Sequence, residues 1–471
     1  MKFKKATSLA LCLTLILGAA ACNTSGSNTT VTIDTTVAQT IAQTESEPVE
    51  TETSEPEETV TETVATQYLE TDVNSNPEDT GEELKIYSYS DDFKRLLQDY
   101  CSDISYTYES FGGDAEYYQS ILDSVLGTED APDIFICDIE YLDKYINSEY
   151  TRSVNSVGIQ YSELDSMFDY TLQLASDDNN VIKGIAWEVY PCGVFYNRSL
   201  AEEYLGVSEP DDVAAYFADW DAVTETARTI NTASEGEAKL FGGIDDIWNS
   251  YRTQRCSTWY DENGYLRIDP AIDEFYNLGR IFADEELTLN TTMWTNPWND
   301  AVKYSDVMTI WGSLSVFNYH ISLRNISSTE GNWGLVNAPN SFTMGGEWIL
   351  ISDNCDMDAS VAAIIRALTM NNDNMLEMVD DDIFVNSVDI ITDCAADINY
   401  GMAALGGQNP YLILLDAALE ANYSQELLDD DYIDAYFLSS VRDYMAGDAS
   451  SVEDAHAQLN AILFEQSIFD N

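Results

Sequence analysis

Apolar residues follow several distinct patterns along this chain, and each predicts a different kind of structure. Residues 6–17 form a nearly unbroken apolar run, preceded by Lys2, Lys4 and Lys5 and followed by Ala19, Ala20, Ala21 and Cys22. Residues 23–82 carry almost no apolar periodicity; they read, for instance, TESEPVETETSEPEETVTETV, without a single Lys or Arg. From Leu84 onward the pattern is that of a folded domain. LKIYS (84–88) predicts a strand, Phe93, Leu96 and Leu97 give residues 91–100 a helical face, and 105–110 alternates as a second strand. Tyr118, Ile121, Leu122 and Val125 then line one face of a helix over 115–126, and DIFIC (133–137) is a continuous apolar strand. Strands alternating with helices predict a parallel sheet covered on both faces. Ligands of such sheets sit beyond the carboxyl ends of the strands, which places Tyr89 and Asp138 at a candidate binding edge. Asp138 would serve equally as a helix cap, and Tyr89 as a surface aromatic.

The amino-terminal run has the basic, apolar and small-residue regions of a secretory signal, and it is too short to span a bilayer comfortably. Cys22 directly after three alanines resembles a bacterial lipobox, whose thiol receives a diacylglycerol; Ala19 departs from the larger aliphatic usual there. The resemblance implies a lipid anchor at Cys22 on the outer face of the cell membrane. Residues 23–82 cannot bury enough apolar surface to offset their ordering entropy, and their like charges repel one another. They are expected to form an extended, disordered tether.

Charge narrows the function. With 84 Asp and Glu against 20 Lys and Arg the formal net charge is -64, so nucleic acid is repelled and is not an expected partner. Only His320 and His456 are present, which leaves too little material for a multi-histidine zinc site or a histidine-based triad. The Asp runs at 380–382 and 429–431 lack the alternating ligands and turn glycine of a calcium loop and read as solvated faces. No metal and no cofactor is expected. Cys101, Cys137, Cys192, Cys256, Cys355 and Cys394 form no closely spaced pair, so zinc ribbons and redox dithiols are disfavoured while disulfides stay open. The 29 Tyr and 9 Trp provide flat apolar faces with polar tips, suited to packing and to stacking on sugar rings alike.

The most informative stretch is 183–230. An extended run with Trp187, Tyr190 and Pro191 leads into the strand GVFYN, a helix stopped by Gly206, and a helix opened by Pro210. Tyr196, Asn197, Gly206, Pro210 and Trp220 in this order resemble the crossover of the family 1 extracellular solute-binding proteins. Three other segments agree: APDIFICD (131–138); DENGYLRIDPAIDEFYNLGRIF, with an Asn263-Gly264 hairpin before a helix bearing Phe275, Leu278 and Ile281; and WGLVNAPNSFTMGGEWILIS (333–352). The likeness extends over residues 84–471.

That resemblance implies an α/β fold of two lobes, each a sheet flanked by helices, with a ligand cleft between them. Lobe one would take about 83–190 and 342–400, and lobe two about 193–340 and 401–471. It implies the substrate-binding component of an ABC importer, a monomer that captures a carbohydrate by lobe closure and delivers it to permease subunits served by a separate ATPase. No phosphate loop occurs here. A sugar receptor needs aromatic planes and hydroxyl partners. The candidates are Trp187, Tyr190, Trp248, Trp311 and Trp348 for stacking and Asp138, Glu188 and Glu347 for hydroxyls, with Trp294 and Trp298 in reserve. No catalytic residue is expected. A surface glycoside hydrolase, using a carboxylate pair, and a receptor for a polyamine or peptide, using an acidic aromatic cleft, are the alternatives.

Overall fold

The structure, a computed structural model, describes residues 68–113, 115–260, 266–323, 331–421 and 431–465. The signal, Cys22, residues 23–67, the Asn263-Gly264 turn and Asp429 and Asp430 lie outside the described residues.

The first lobe is built on five strands: β1 (Leu84–Ser88), β2 (Tyr106–Ser110), β3 (Ile134–Asp138), β4 (Gly184–Ala186) and, much later in the chain, β8 (Glu347–Ile351). Their order in the sheet is β2-β1-β3-β8-β4. The strands β1, β2 and β3 run parallel, as their alternation with the helices Asp92–Tyr100 and Ala115–Val125 requires. The all-parallel expectation is corrected at β8, which is antiparallel to both β3 and β4. β8 brings the chain back from the second lobe and enters the sheet at the end where β3 leaves it, so its direction is inverted.

The second lobe has three strands, β5 (Cys192–Asn197), β6 (Thr309–Ser313) and β7 (Trp333–Val336), with β5 central and antiparallel to both neighbours. Its outer face carries a core that includes Val194, Tyr196, Trp311, Phe241, Phe275 and Phe437. The carboxyl-terminal helices Asp431–Ala446 and Val452–Glu465 close this core against the helix Pro270–Asp284.

Among the described residues two crossovers join the lobes: Cys192 N donates to Phe342 O and Met344 N to Tyr190 O, both at 3.0 Å, so they lie side by side as a short ribbon. A first-lobe segment runs along the start of the first crossover, with Val189 N donating to Phe384 O at 2.9 Å and Asn386 N to Trp187 O at 3.2 Å. A single apolar core continues from the first sheet through Phe384, Tyr411 and Leu414 to Phe195 and Leu335 on the inner face of the second. The helix Tyr411–Glu420 packs there on β5.

The tether expectation over 23–82 is corrected at its end. Residues 68–82 are strapped across the first lobe by polar bonds: Leu69 N to Asn180 O at 2.8 Å, Thr71 N to Asn155 Oδ1 at 2.9 Å, Asn74 N to Asn155 O at 2.9 Å and Thr80 N to Asp356 O at 2.7 Å. Gly158, at φ 87°, permits the close approach, since a Cβ there would stand 2.8 Å from Asn74 O. The strap left no trace in apolar periodicity because its partners are backbone and amide groups. Removing it leaves the Asn155 amide oxygen, which accepts here only from Thr71, without a protein donor. A chain starting at residue 83 is therefore expected to melt about 4 °C below one starting at residue 68, reflecting a loss of roughly 1–2 kcal/mol. Equal melting temperatures in a differential scanning experiment would show the strap to be energetically idle.

Candidate functional site

Five of the residues expected at the site come together at one edge of the first sheet. Tyr89 follows β1, Asp138 ends β3, Glu347 opens β8 directly opposite Asp138, and Trp187 and Glu188 follow β4. Position in the strand explains the convergence: β1, β3 and β4 end where β8 begins, at the side facing the crossovers. Asp138 also caps the helix Ile139–Ile146, accepting from Glu140 N at 3.0 Å, so the capping reading holds together with a place at the edge.

The carboxyl groups of this edge are electrostatically unusual. Burial pushes Glu347 up to about 8. Asp138 and Glu188 are each pushed up to about 7, again by burial, opposed in Asp138 by the bond from Glu140 and in Glu188 by a bond with Tyr190 and by Arg95. Near neutral pH these groups exchange readily between acceptor and donor forms, which suits them to neutral hydroxyl partners.

The tryptophans are placed differently from expectation. Trp348 points away from Glu347 into the lobe core, donating to Thr171 O at 3.1 Å, and its ring fills the space a Cβ on Gly346 would need. Trp311 is 1 % exposed and stacks on Trp220 at 5.9 Å; Trp248 is 2 % exposed, lies 4.7 Å from Phe275, and donates to Asp434. All three indoles are enclosed in this structure, Trp348 being 1 % exposed as well. Trp187 stays at the edge, but its ring is buried 4.9 Å from that of Phe93.

Other residues take the open positions. A shallow recess between the lobes, with room for about one water-sized group, is lined by Tyr190, Pro191, Ser313, Leu314, Ser315 and Asp382, among others. In the second lobe the segment 239–243 runs beside β6, with Thr309 N donating to Leu240 O at 3.0 Å, and passes the same end of that sheet. Gly243 lies so close to Thr291 O that any Cβ there would clash. The loop pressed against it carries Trp294, half-buried, at φ 67°, with its indole N–H unpartnered and its ring 5.0 Å from Trp298. Trp298 instead donates to Asp246, which also accepts from Gly243 N and is pushed up to about 7 by burial. A bulky residue in the left-handed region stores strain and marks Trp294 as a functional candidate. Ser313 and Ser315 carry no sequence signal and Asp382 reads in sequence only as part of a solvated Asp run, since only the crossing of the lobes brings them together.

Among the described residues, no cluster of three or more His, Cys, Asp or Glu is arranged to hold a metal ion, and no helix is long and apolar enough to cross a membrane. The six cysteines Cys101, Cys137, Cys192, Cys256, Cys355 and Cys394 are free thiols, and of these Cys256 is exposed.

No family model matches the sequence, and no curated protein matches it. Solved structures do match. One described as an extracellular solute-binding protein family 1 member superposes with a TM-score of 0.68 at 15% identity, over 80% of this chain and 99% of its own. The chain has the fold of an extracellular solute-binding protein. An ABC transporter associated binding protein from B. animalis subsp. lactis Bl-04, solved with beta-1,6-galactobiose, gives a TM-score of 0.60 at 16% identity, over 81% of this chain and 97% of its own. The galacto-N-biose/lacto-N-biose I-binding protein of an ABC transporter from Bifidobacterium longum, solved with lacto-N-biose, gives 0.60 at 13% identity, over 83% and 98%. The solute-binding fold thus accounts for nearly the whole of each neighbour and for most of this chain, in two lobes joined by crossovers.

Proposed function

We propose that this protein captures a carbohydrate, an oligosaccharide in particular, outside the cell and delivers it to the permease of an ABC importer. The observation that carries the reading is the structural match to nearly the whole of binding proteins solved with sugars, at a fold that works by closure of two lobes around a solute. The edge formed by Tyr89, Asp138, Glu188 and Glu347, with Tyr190 at the crossover, supports it by offering hydroxyl partners. Trp294 is the aromatic plane left partly open for a sugar face. In this reading Cys22 carries the lipid anchor, the monomer works on the outer face of the membrane, and ATP hydrolysis belongs to a separate subunit.

A thermal-shift screen of the chain from residue 68 against mono- and oligosaccharides, polyamines, amino acids and short peptides tests the proposal. A ligand at a hundred times its Kd stabilises by about 2.7 kcal/mol, a rise of several degrees. A shift from an oligosaccharide is expected. A shift from polyamines or peptides with none from sugars would keep the fold and replace the cargo, and release of product from a polysaccharide would replace binding by catalysis.

A further inference from the structure

Beside the carboxyl edge, the first lobe holds a small recess between the sheet and the helices Ala115–Val125 and Ile139–Ile146. It is lined by Tyr89, Tyr118, Leu122, Cys137, Asp138 and Tyr141, among others. Its walls are mainly aromatic and aliphatic, with the Gln119 amide and the Asp138 carboxyl among them, and it has room for about one water-sized group. Two of the lining hydroxyls are used: Tyr118 donates to Tyr87 O at 3.0 Å, and Tyr145, also in the lining, to Asp123. Tyr89 differs. It is 5 % exposed and its hydroxyl is buried without a hydrogen-bond partner, while its ring leans on that of Tyr118 at 6.1 Å. A buried phenol left unpaired is a cost that a folded protein ordinarily avoids. Asp138, 6 % exposed, accepts through Oδ1 from Glu140 N, which leaves Oδ2 for another group.

The recess therefore takes one small terminal group, uncharged and able to both donate and accept, and an apolar atom that carries this group lies against the neighbouring rings. No Lys, Arg or His lines the recess, which disfavours phosphate or carboxylate. Resting on the carbohydrate reading above, we propose that the recess receives the exocyclic hydroxymethyl group of a hexose, its methylene against the aromatic walls and its hydroxyl bonded to Tyr89 and Asp138. The protein thereby selects hexose units over pentoses and 6-deoxy sugars. A site built to pair a hydroxyl discriminates strongly against analogues lacking it, because its own polar groups are then left unpaired.

The test is isothermal titration calorimetry on the chain from residue 68. Glucose- and galactose-based disaccharides are compared with the matching xylose-based and 6-deoxygalactose-based compounds. The wild type is expected to bind the hexose compound at least about tenfold more tightly. Tyr89→Phe keeps the ring and is expected to weaken hexose binding about tenfold and binding of the counterpart by much less, so the preference collapses. Asp138→Asn, which retains a good helix cap, is expected to reduce the same ratio and covers the case in which Tyr89→Phe fails to fold. Sugar binding without a hexose preference, or a preference untouched by both variants, would overturn the inference and leave the carbohydrate reading standing. Absence of any sugar binding by the wild type would overturn both.

Discussion

Replacing Asp434 by alanine is expected to lower the melting temperature by on the order of 10 °C, the largest effect of any single substitution considered. Asp434 is 2 % exposed on the helix Asp431–Ala446 and gathers four partners. Its Oδ2 accepts from Trp248 Nε1 at 2.8 Å and from Arg252 at 2.5 Å, its Oδ1 accepts from Trp259 Nε1 at 3.0 Å, and Arg255 stands 3.9 Å away over the Trp259 ring. Arg252 and Arg255 are themselves 3 % and 1 % exposed. Removing the carboxylate takes a shared counter-charge from two buried guanidinium groups, a loss of roughly 3–5 kcal/mol, with about 1 kcal/mol more for each indole N–H. The effect reaches the cleft, because Trp248 and Arg252 hold the helix Asp245–Tyr251, whose first turn supplies Asp246 to the Trp298 side of the second lobe. Calorimetric melting checks the expectation, and a shift below about 2 °C would show the cluster to be electrostatically unimportant.

The second large expectation is a fall in stability from pH 5 to pH 9 that Glu347→Gln removes in part. The folded-state value of Glu347, about 8, lies above its ordinary 4.5, so the folded protein holds a proton that the unfolded chain releases. Its contribution is fully present below about 4.5 and is lost as the pH rises through about 8. The loss is on the order of a few kcal/mol. Asp138 and Glu188, each near 7, act in the same direction. Overall charge repulsion in so acidic a protein also grows with pH, so the informative quantity is the difference between wild type and variant. Glu347→Gln is expected to melt with the wild type at pH 5 and several degrees above it at pH 9. Parallel curves for the two proteins at all pH values would mean that Glu347 is solvated in the folded state.

Much of the fold was legible because it rests on local patterns. LKIYS, DIFIC and GVFYN are apolar runs bounded by turn residues, and each is a strand; Phe93, Leu96 and Leu97, and likewise Tyr118 and Leu122, are the buried faces of the helices predicted around them. Asp138 and Tyr89 were located by a rule about strand ends that needs no knowledge of the partner lobe. The strap over 68–82 was not legible, because hydrogen bonds to Asn155 and Asp356 leave no periodic signature.

The sequence by itself determined which segments are strands and helices, and which end of the first sheet carries the polar residues. These follow from side-chain periodicity and from chain direction. Only the tertiary structure decided which aromatic rings remain open. An indole is equally suited to core and cleft, and the choice between them depends on its neighbours: Trp348, Trp311 and Trp248 are enclosed by packing that brings in residues far away in sequence, such as Thr171 and Asp434, while Trp294 is held half-open by a left-handed backbone. The reversal of β8 and the meeting of Tyr190 with Ser313 and Ser315 likewise arise from the chain crossing between lobes and returning, a long-range event that no local pattern encodes.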